Sequence, residues 1–323
     1  MSDLSGVNPE AAVRAIRARA ERRRSGDHAP DGRKLALVVE GGALRGVCSA
    51  GGVVALEHLG FTELFDHVYG TSAGAMNASY FLAGQAKLGI RVYYEDMNRR
   101  EIVNPWRFWN ILDLNRLFEQ SILGGKRLRL DAVLASRSKL FIAALEAESG
   151  TGTLFDAQAL GHEEKLLQAL RASTAVPFLY RQPTLVDGRL CLDGGLVNSF
   201  PIADALAAGC TDVLVLLTRP HGYRRAPAGR FMRWLFNRLH ARGNPRLARA
   251  FARRHEVDAA IRDLAFGRAA TSGGANVATI CTDDGEVVGR MTTDRGLLRA
   301  AALAFGRKTL RVLGADPDGL TLD

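Results

Sequence analysis

Residues 35–82 decide the fold of this 323-residue chain and read LALVVEGGALRGVCSAGGVVALEHLGFTELFDHVYGTSAGAMNASYFL. The apolar run Leu35–Val39 is typical of a strand that is buried on both faces. A glycine-rich turn follows it, and residues 47–59 have the spacing of apolar side chains that indicates a helix. A second strand over 65–69 leads through a sharp turn into a helix over 75–82. This βαβα order predicts a parallel, right-handed α/β sheet.

The rest of the chain supplies further elements of the same kind. An Asp-Gly pair between two short apolar runs predicts a hairpin over 184–192. The other predicted elements are strands over 140–145, 213–217 and 276–281 and helices over 163–172 and 295–313. We expect a single three-layer α/β/α domain with a mostly parallel central sheet and a basic, helical C-terminal extension. Its predicted parts are a basic segment over 1–33, a core over 34–217, and an Arg-rich segment with a last strand and helix over 218–323.

The composition is that of a globular protein with an excess of positive charge. Hydrophobic residues make up 47% and charged residues 24%, which argues against wholesale disorder. No stretch approaches about 18 consecutive apolar residues, so we expect no membrane-spanning helix. The net charge of +9 favours anionic partners such as phospholipid headgroups, nucleic acid or acidic substrates. The four cysteines have no metal-ligand spacing and residues 1–30 hold no apolar signal segment, so we expect reduced thiols, no metal and a cytoplasmic protein.

The N-terminal segment is polar and carries a run of arginines over 14–24. Alanine and arginine favour helices, so this run predicts a basic surface helix that could touch an anionic membrane. The alternative is a solvated tail, which we favour because charge runs of this kind are usually solvated.

Residues 70–74, Gly-Thr-Ser-Ala-Gly, match the G-x-S-x-G pattern of a nucleophile elbow. In this turn a strand reverses so sharply into a helix that the serine backbone is strained, and Gly70 and Gly74 remove Cβ atoms that would clash. The following helix directs its positive end at the reacting oxygen of Ser72. An apolar strand precedes the motif and a helix follows it, so we interpret Ser72 as a catalytic nucleophile. A small-residue turn without reactivity is the alternative.

A nucleophilic serine needs a base, and histidine is the usual one. In an α/β-hydrolase the histidine follows both the serine and the acid, which leaves His221, His240 and His255. All three lie among arginines and bulky side chains. An α/β-hydrolase elbow also comes after several strands, whereas Ser72 follows only the second predicted strand. A Ser-His-Asp arrangement therefore stays an alternative to the main prediction.

The better candidate base is Asp193, which directly follows a predicted hairpin strand and precedes Gly194 and Gly195. A carboxylate within hydrogen-bond reach of a serine hydroxyl accepts its proton directly if the site is dry enough to raise the carboxylate's basicity. The two glycines would let backbone and substrate approach closely. Taken alone the Asp-Gly pair indicates a turn, but together with the elbow and the missing histidine it favours catalysis.

The glycine-rich turn after the first strand is the third candidate element. It lacks the glycine that a dinucleotide fingerprint requires at position 43, and no Gly-Lys-Ser/Thr of a P-loop follows it. What remains is a run of backbone N–H groups at a helix N-terminus beside the elbow, which suits an oxyanion hole. A turn that binds nothing is the alternative. The candidate oxyanion residues are Gly41, Gly42, Ala43, Leu44, Arg45 and Gly46.

In their order along the chain, these motifs resemble those of the patatin-like phospholipase family. The family has a Gly-Gly-Gly-x-Arg/Lys-Gly loop, then G-x-S-x-G, then Asp-Gly-Gly/Ala. Residues 41–46, 70–74 and 193–195 are similar to these three, with Ala43 in place of the third glycine of the loop. Residues 172–177 (ASTAVP) resemble the family's A-S-x-A-x-P block, and NSFP at 198–201 resembles its N-x-P tail with one extra residue.

The resemblance covers roughly residues 34–217 and looks closest to the bacterial, intracellular branch of the family. It implies a patatin-like fold and a serine lipid acyl hydrolase, an esterase of the phospholipase A or lysophospholipase kind. Ser72 would be the nucleophile, Asp193 the base, and residues 41–46 the oxyanion hole. The implied substrate is a lipid or another acyl ester, and neither a cofactor nor a metal is implied.

The segment between Val213 and His255 holds eleven arginines and no acidic residue. Aromatic and leucine side chains interleave with them over 231–239, as on a surface that binds an anionic bilayer. Arg224–Arg254 is therefore a candidate for peripheral membrane contact, the alternative being apolar side chains packed on the core and solvated arginines. No reader motif accompanies the arginines, so we expect no nucleic-acid partner. A membrane-surface protein that kept the elbow without turnover is the non-enzymatic alternative.

Overall fold

A single sheet organises the computed structural model, which describes residues 8–104, 106–107, 111–180, 182–285 and 288–322. Eight strands of these residues belong to the sheet. They are β1 (Leu35–Val39), β2 (His67–Thr71), β3 (Lys139–Glu146), β4 (Gly152–Asp156), β5 (Thr184–Val186), β6 (Arg189–Asp193), β7 (Asp212–Leu217) and β8 (Asn276–Cys281).

Helices fill most of the chain between the strands. The α-helices are α1 (Pro9–Arg24), α2 (Val47–His58), α3 (Ala73–Leu82), α4 (Ala86–Arg91), α5 (Leu114–Arg116), α6 (Leu130–Ala135), α7 (Ala157–Leu160), α8 (Glu163–Thr174), α9 (Ile202–Ala207), α10 (Arg230–Phe236), α11 (Pro245–Ala265) and α12 (Arg295–Val312). Short 3₁₀ turns cover Ala43–Gly46, Gly194–Leu196 and Ser272–Gly274, and π-helical segments cover Val92–Asp96, Leu117–Gly125 and Asn237–Ala241.

The strand order of the sheet is β5-β6-β3-β2-β1-β7-β8, with β4 also paired to β3. The five strands β3, β2, β1, β7 and β8 run parallel to one another. The pairs β3–β4, β3–β6 and β5–β6 are antiparallel. The sheet is therefore mixed, parallel through its centre and antiparallel at one edge.

Helices cover both faces of the sheet, as the alternating side chains of β1 show. Leu35, Leu37 and Val39 pack into one core with α2, α3 and α12. Ala36 and Val38 pack into the opposite core with α9 and α11. All five residues are buried, as a central parallel strand between two helical layers requires. This is the α/β/α layering of the patatin-like fold that the sequence predicted.

The C-terminal part of the chain packs onto the same sheet. Strand β8 pairs with β7, and α12 packs on α2 so closely that a Cβ on Gly51 would lie 2.0 Å from the carbonyl oxygen of Ala302. The helices α10 and α11 form the basic, helical C-terminal region. In the part of the chain that the structure describes, no helix is both long and apolar enough to cross a membrane. The segment boundaries at 33/34 and 217/218 stay predictions.

The N-terminal interpretation as a solvated tail is wrong for α1. Ile16 is fully buried in the core, on a face of α1 whose other apolar residues are alanines. Arg19 is only 7% exposed and pairs with Asp31 at 2.7 Å and Asp66 at 2.6 Å. The arginine run thus contains a structural arginine, and its small apolar face was too weak a pattern to reveal the packing. Residues 1–7 of this segment lie outside the described residues.

Candidate active site

Ser72 occupies a sharp turn between β2 and α3. Strand β2 begins two residues later than the sequence predicts and ends at Thr71, and α3 begins at Ala73, so Ser72 alone joins the strand to the helix. Its φ of 57° and ψ of −129° are the strained backbone conformation predicted for a nucleophile elbow. Residues held in such a conformation cluster at active sites, where the surrounding structure maintains the strain.

The elbow glycines lie where the turn touches its neighbours. A Cβ on Gly70 would lie 2.5 Å from Cα of Ala75, and a Cβ on Gly74 would lie 2.2 Å from the carbonyl oxygen of Val39. Both distances are far too short for a real side chain, so close backbone approach requires glycine at these positions. The result is an elbow pressed against the end of β1.

A buried serine that the sequence analysis did not single out holds the elbow in place. Ser173 Oγ accepts a hydrogen bond from the backbone N–H of Ser72 at 2.8 Å and donates one to the carbonyl of Ala143 at 2.6 Å. Its side chain is fully buried at the end of α8. The backbone of Ser72 is thereby tied to β3.

Strand pairing brings Asp193 to the same place. Strand β3 pairs with β2 as far as Ala143, which lies opposite Thr71. Strand β4 pairs with residues 141–145 along the other edge of β3, so β6, which pairs with residues 144–146, continues the edge that β2 leaves. There Ala144, the next residue of β3, pairs with Asp193 of β6. Because β2 is parallel and β6 antiparallel to β3, the carboxyl ends of β2 and β6 meet head to head. Ser72 and Asp193, far apart in the sequence, therefore border one cavity.

Asp193 is fixed through its backbone and through one carboxylate oxygen. Its N–H donates to the carbonyl of Ala175 at 3.2 Å, and its Oδ1 accepts a hydrogen bond from the N–H of Gly195 at 2.7 Å. Its Oδ2 is buried and has no hydrogen-bond partner among the described residues. The Ser72 hydroxyl is close enough to this carboxylate to lower its pKa, and catalytic hydrogen bonds in substrate-free sites are often long or poorly aligned until substrate binds.

The environment makes Asp193 a stronger base than an ordinary aspartate. Burial raises the pKa of Asp193 from 3.8 to about 6. The Ser72 hydroxyl, the Gly195 N–H and two arginine charges act in the opposite direction, but burial dominates because the residue is only 5% exposed. A carboxylate of this kind is ionised at neutral pH and basic enough to accept a proton from a serine.

The glycine loop lies directly against the elbow. A Cβ on Gly41 would lie 2.3 Å from the carbonyl oxygen of Thr71 and 2.9 Å from Cβ of Ser72, so only glycine fits there. Ala43, which replaces the third glycine of the family pattern, has a φ of 52°. A left-handed conformation costs a residue with a Cβ about 1–2 kcal/mol. The loop thus keeps its shape and the backbone N–H at position 43, but the backbone of Ala43 is strained.

Only part of the predicted oxyanion loop is open to the cavity. The N–H of Leu44 donates to the carbonyl of Arg290 at 3.3 Å, and the N–H of Arg45 donates to the carbonyl of Gly42 at 3.2 Å. Leu44 and Gly46 also lie outside the cavity wall. The assignment of all six residues is therefore too broad, because two N–H groups are already used within the protein. The candidate donors that border the cavity are those of Gly41, Gly42 and Ala43.

A buried charge network supports the loop from behind. Glu40, the residue after β1, binds Arg262 of α11 at 2.8 Å, and Arg262 binds Asp258 at 3.1 Å. The other carboxylate oxygen of Glu40 accepts a hydrogen bond from the N–H of Thr218 at 2.6 Å. Since an uncompensated buried charge is strongly destabilising, these contacts fix the start of the glycine loop to α11.

Two cavities meet at Ser72. The larger, of about 520 Å³, is bordered by Ser72, Asp193, residues 41–43 and five arginines. The smaller, of about 50 Å³, is apolar, and its wall includes Ala43, Met76, Tyr93, Leu117 and Phe118. An ester positioned at Ser72 would therefore have a wide space bordered by arginines and apolar side chains on one side, and a small apolar space on the other.

The histidines of the alternative triad lie elsewhere. His221 packs on the ring of Phe266, and His240 Nε2 accepts a hydrogen bond from the N–H of Phe178. His255 contacts a carbonyl of its own helix. Among the described residues that border the larger cavity there is no histidine. The geometry gives no support to a Ser-His-Asp triad.

The two additional motifs of the family resemblance also meet at this site. The block 172–177 supplies the hydrogen bonds to both Ser72 and Asp193 described above. Thr71 Oγ1 donates to the carbonyl of Asn198 at 3.0 Å, so the tail 198–201 contacts the elbow. The block 172–177 was therefore the available signal for Ser173. Of the cavity arginines, Arg45 lies in the glycine-loop motif, whereas no motif marked Arg219 or Arg290 or the network behind the loop.

Comparisons with known proteins follow this architecture. A family model described as patatin-like phospholipase matches residues 37–206. The chain is 30% identical over 210 residues to the uncharacterized protein YjjU of Escherichia coli (strain K12), a match that covers 62% of this chain and 57% of YjjU, less than two thirds of its length. The crystal structure of VipD from Legionella pneumophila is similar at a TM-score of 0.46 and 16% identity, covering 88% of this chain and 67% of VipD. Because the family model matches more than half of the chain, the chain belongs to the patatin-like phospholipase family.

Proposed function

We propose that this protein is a serine lipid acyl hydrolase, an esterase of the phospholipase A or lysophospholipase kind. Family membership supports lipid acyl hydrolysis in general. The proposal assigns Ser72 as nucleophile and Asp193 as general base, and one observation carries this assignment. The carboxyl ends of β2 and β6 meet on one edge of β3, where a strained serine and a buried carboxylate share a cavity.

In the first half of the reaction, Ser72 Oγ attacks the carbonyl carbon of the ester while its proton passes to Asp193. The carbonyl oxygen becomes an oxyanion, which the N–H groups of residues 41–43 stabilise. The bond to the alcohol then breaks, and the departing oxygen takes the proton from Asp193. The acyl group stays on Ser72.

In the second half, water attacks the carbonyl carbon of the acyl-serine and gives a proton to Asp193. The same N–H groups stabilise the second oxyanion. Ser72 Oγ leaves as the bond to it breaks and recovers its proton from Asp193. The released product is the fatty acid, and the site returns to its starting state.

The small apolar cavity beside Ser72 is the proposed place of the acyl chain. Its volume of about 50 Å³ is well below the roughly 300–1,000 Å³ of typical ligand pockets. The π-helical segments Val92–Asp96 and Leu117–Gly125 contribute to its wall, and π-helical turns are frequent at functional sites. We expect this shape to favour short acyl chains over long ones.

Labelling with a fluorophosphonate probe, together with hydrolysis of a soluble short-chain ester, tests the proposal. We expect the probe to label Ser72, and Ser72→Ala to lose labelling and at least ~10³-fold in kcat/KM because the nucleophile is gone. Ser25→Ala, at an exposed serine that follows α1, is the control that keeps both. Full hydrolysis by Ser72→Ala excludes the dyad. Loss of activity in a folded His221/His240/His255 triple alanine variant would favour the triad instead.

We also propose that Arg224–Arg254 contacts an anionic membrane. In α10, Phe231 is 70% and Trp234 59% exposed, and their rings stack at 5.9 Å. Exposed arginines flank these rings, a combination typical of segments that lie in a membrane interface. Phe236 of the same helix is fully buried, so the segment is anchored in the core while its aromatic pair faces solvent. Location in the cytoplasm stays a prediction.

Co-sedimentation with phosphatidylglycerol vesicles tests the membrane contact. We expect Phe231→Ser/Trp234→Ser to bind about tenfold more weakly, because two aromatic side chains no longer enter the interface. Trp106→Ser is the matched control, since Trp106 is 80% exposed but lies outside the segment. Unchanged binding by the double variant, or equal loss in the control, would contradict the assignment.

A further inference from the structure

The larger cavity carries an arginine cluster that the proposed reaction does not use. The cluster consists of Arg45, Arg219, Arg225, Arg254 and Arg290. The acidic side chains on the same wall are Glu40 and Asp193. The space beside the nucleophile is therefore strongly cationic. Positive charges held so close together repel one another.

Among the described residues, most of the cluster forms no ion pair with an acidic side chain. Arg225 is the exception, with Asp258 at 3.4 Å. Arg254 packs over the ring of Phe251, and its buried Nε has no hydrogen-bond partner among the described residues. Arg290 makes no ion pair with any acid in the described part of the chain. These guanidinium groups leave donors open to the cavity.

Crowding and burial act against the charges of the cluster. Burial, followed by the charges of Arg225 and Arg290, lowers the pKa of Arg254 to about 10. Burial likewise lowers the pKa of Arg45 to about 10. Both side chains still carry their charge at neutral pH, so the cavity holds cations in an unfavourable environment that a bound anion would relieve.

The acids of the wall are not available to a positively charged ligand. Both carboxylate oxygens of Glu40 are occupied, by Arg262 at 2.8 Å and by Thr218 at 2.6 Å. Asp193 is the proposed base. An ammonium group, such as that of choline or ethanolamine, would therefore enter among arginines without a free carboxylate to bind it. A headgroup that ends in an amine is disfavoured on charge alone.

The two cavities fix the direction of a substrate. An ester at Ser72 with its acyl chain in the apolar cavity directs its alcohol part into the arginine cluster. Arginine binds phosphate in a forked, bidentate manner, and charge-assisted hydrogen bonds of this kind are about twice as strong as neutral ones. Several guanidinium groups around one space suit a phosphate better than a singly charged carboxylate.

We propose that the arginine cluster is a phosphate site that selects lipid substrates with an anionic, amine-free headgroup. This inference rests on the proposed acyl hydrolase function and adds the class of leaving group to it. The shared chemistry is a phosphate, either as part of the headgroup or as free inorganic phosphate, and we assign it to the headgroup because the ester at Ser72 delivers the alcohol part there. Arg254 and Arg290 act as specificity-determining residues.

The test uses three soluble butanoyl esters that differ only beyond the glycerol: a phosphate, a phosphocholine and a free hydroxyl. We expect kcat/KM for the phosphate ester to exceed the other two by at least about tenfold. Arg254→Gln and Arg290→Gln should each reduce this preference about tenfold. Arg311→Gln, at an exposed arginine of α12 outside the cavity, should leave it unchanged. Equal kcat/KM for the three esters, or a preference that both cavity variants retain, overturns the proposal.

A binding measurement separates failure of this inference from failure of the proposed function. With Ser72→Ala, calorimetry should show the phosphate ester binding at least about tenfold more tightly than the phosphocholine ester and than inorganic phosphate. If the wild-type protein hydrolyses none of the esters but this order of affinities holds, the acyl hydrolase proposal fails and the phosphate site stands. Inorganic phosphate bound as tightly as the ester overturns the assignment to a headgroup, and equal affinities for the two esters overturn the selectivity.

Discussion

The larger cavity has two walls that are built in different ways. The first, which we call the motif wall, consists of residues 41–43, Ser72 and Asp193 at the ends of buried strands. A Cβ on its residue Gly41 would clash, at 2.3 Å from the carbonyl oxygen of Thr71. The second, the arginine wall, consists of the long cationic side chains of the arginine cluster, such as Arg254 and Arg290. The backbone at the strand ends positions the reacting groups of the first wall, whereas the charges of the second lie at the ends of long side chains.

This difference between the two walls corresponds to a division of tasks between catalysis and the selection of the substrate. Bond making requires reacting atoms to be placed within a fraction of an ångström, so it belongs to the wall where strand ends and glycines leave no freedom. Binding of a charged group tolerates adaptation, and it belongs to the wall of arginines. We therefore expect losses of several orders of magnitude when the reacting side chains of the motif wall, Ser72 and Asp193, are replaced, and graded losses from changes in the arginine wall.

Asp193→Asn should give the largest effect. Without a base the kcat/KM for a soluble ester should fall by about 10³–10⁴-fold, because general-base catalysis and the basicity of the buried carboxylate are both lost. The control is Asp187→Asn, which changes the other Asp-Gly pair of the hairpin, an exposed turn. Ester hydrolysis is measured for both variants. An equal loss of activity in the two would contradict the expected difference between them.

The same substitution should stabilise the protein at neutral pH. The pKa of Asp193 is about 6 in the folded protein, above its ordinary value of 3.8, so folding favours the protonated carboxyl. The contribution of Asp193 to the free energy of unfolding is therefore present in full below pH 4 and is lost as pH rises through 6. Above that pH, the ionised and buried carboxylate is a penalty to stability. Asp193→Asn removes this penalty, and thermal unfolding at pH 8 should show a gain of up to about 3 kcal/mol. Destabilisation at pH 8 together with no change at pH 4 would contradict the sign.

The pH profile is the next test. Asp193 accepts a proton only when ionised, so kcat/KM should fall about tenfold per pH unit below an apparent pKa near 6. Initial rates measured between pH 4.5 and about 8.5, with folding checked by circular dichroism, give this pH profile. A profile that is flat down to pH 5 would mean that another group accepts the proton.

Ser173→Ala should have an intermediate effect. The N–H of Ser72 would lose its partner, which costs about 1–3 kcal/mol, and a misplaced nucleophile should lower kcat about ten- to a hundredfold with little change in KM. Ser79→Ala is the matched control, since Ser79 is also fully buried but donates to a carbonyl of its own helix. Equal activity of the two variants would show that Ser173 does not position Ser72.

Ala43→Gly should have the smallest effect. Glycine relieves the left-handed conformation at this position, so the free energy of unfolding should rise by up to about 1 kcal/mol and activity should stay within a few-fold. Ala50→Gly in the middle of α2 should change stability in the opposite direction by at least about 1 kcal/mol. A loss of stability in Ala43→Gly would show that strain is absent from the loop.

The motif wall could be predicted from the sequence because its rules are local. A strand followed by glycines and a helix is recognisable in a few residues, and Ser72 and the strand Leu35–Val39 were assigned in this way. The sequence signal for Asp193 was less specific, since an Asp-Gly pair also makes an ordinary turn. The start of β2 was predicted two residues early because Phe65 continues the apolar pattern but lies just before the strand.

The arginine wall could not be predicted in the same way. Apart from Arg45, its members lie between residues 219 and 290, and only the three-dimensional packing of α11 and the segments around it brings them to Ser72. Solvated and ligand-facing arginines look alike in a sequence. The ion pair between Glu40 and Arg262 joins two residues that are far apart in the sequence, and no pattern within a short window could connect them.

The head-to-head meeting of β2 and β6 has a consequence during synthesis. Ser72 leaves the ribosome long before Asp193, and among the described strands that precede β6, β4 pairs with the other edge of β3 and none takes the place of β6. A growing chain can assemble the elbow, yet it gains its base only when the β5–β6 hairpin closes. Nascent and truncated chains should therefore be harmless to the membranes around them, because the ability to cut lipids arrives with one of the later steps of folding.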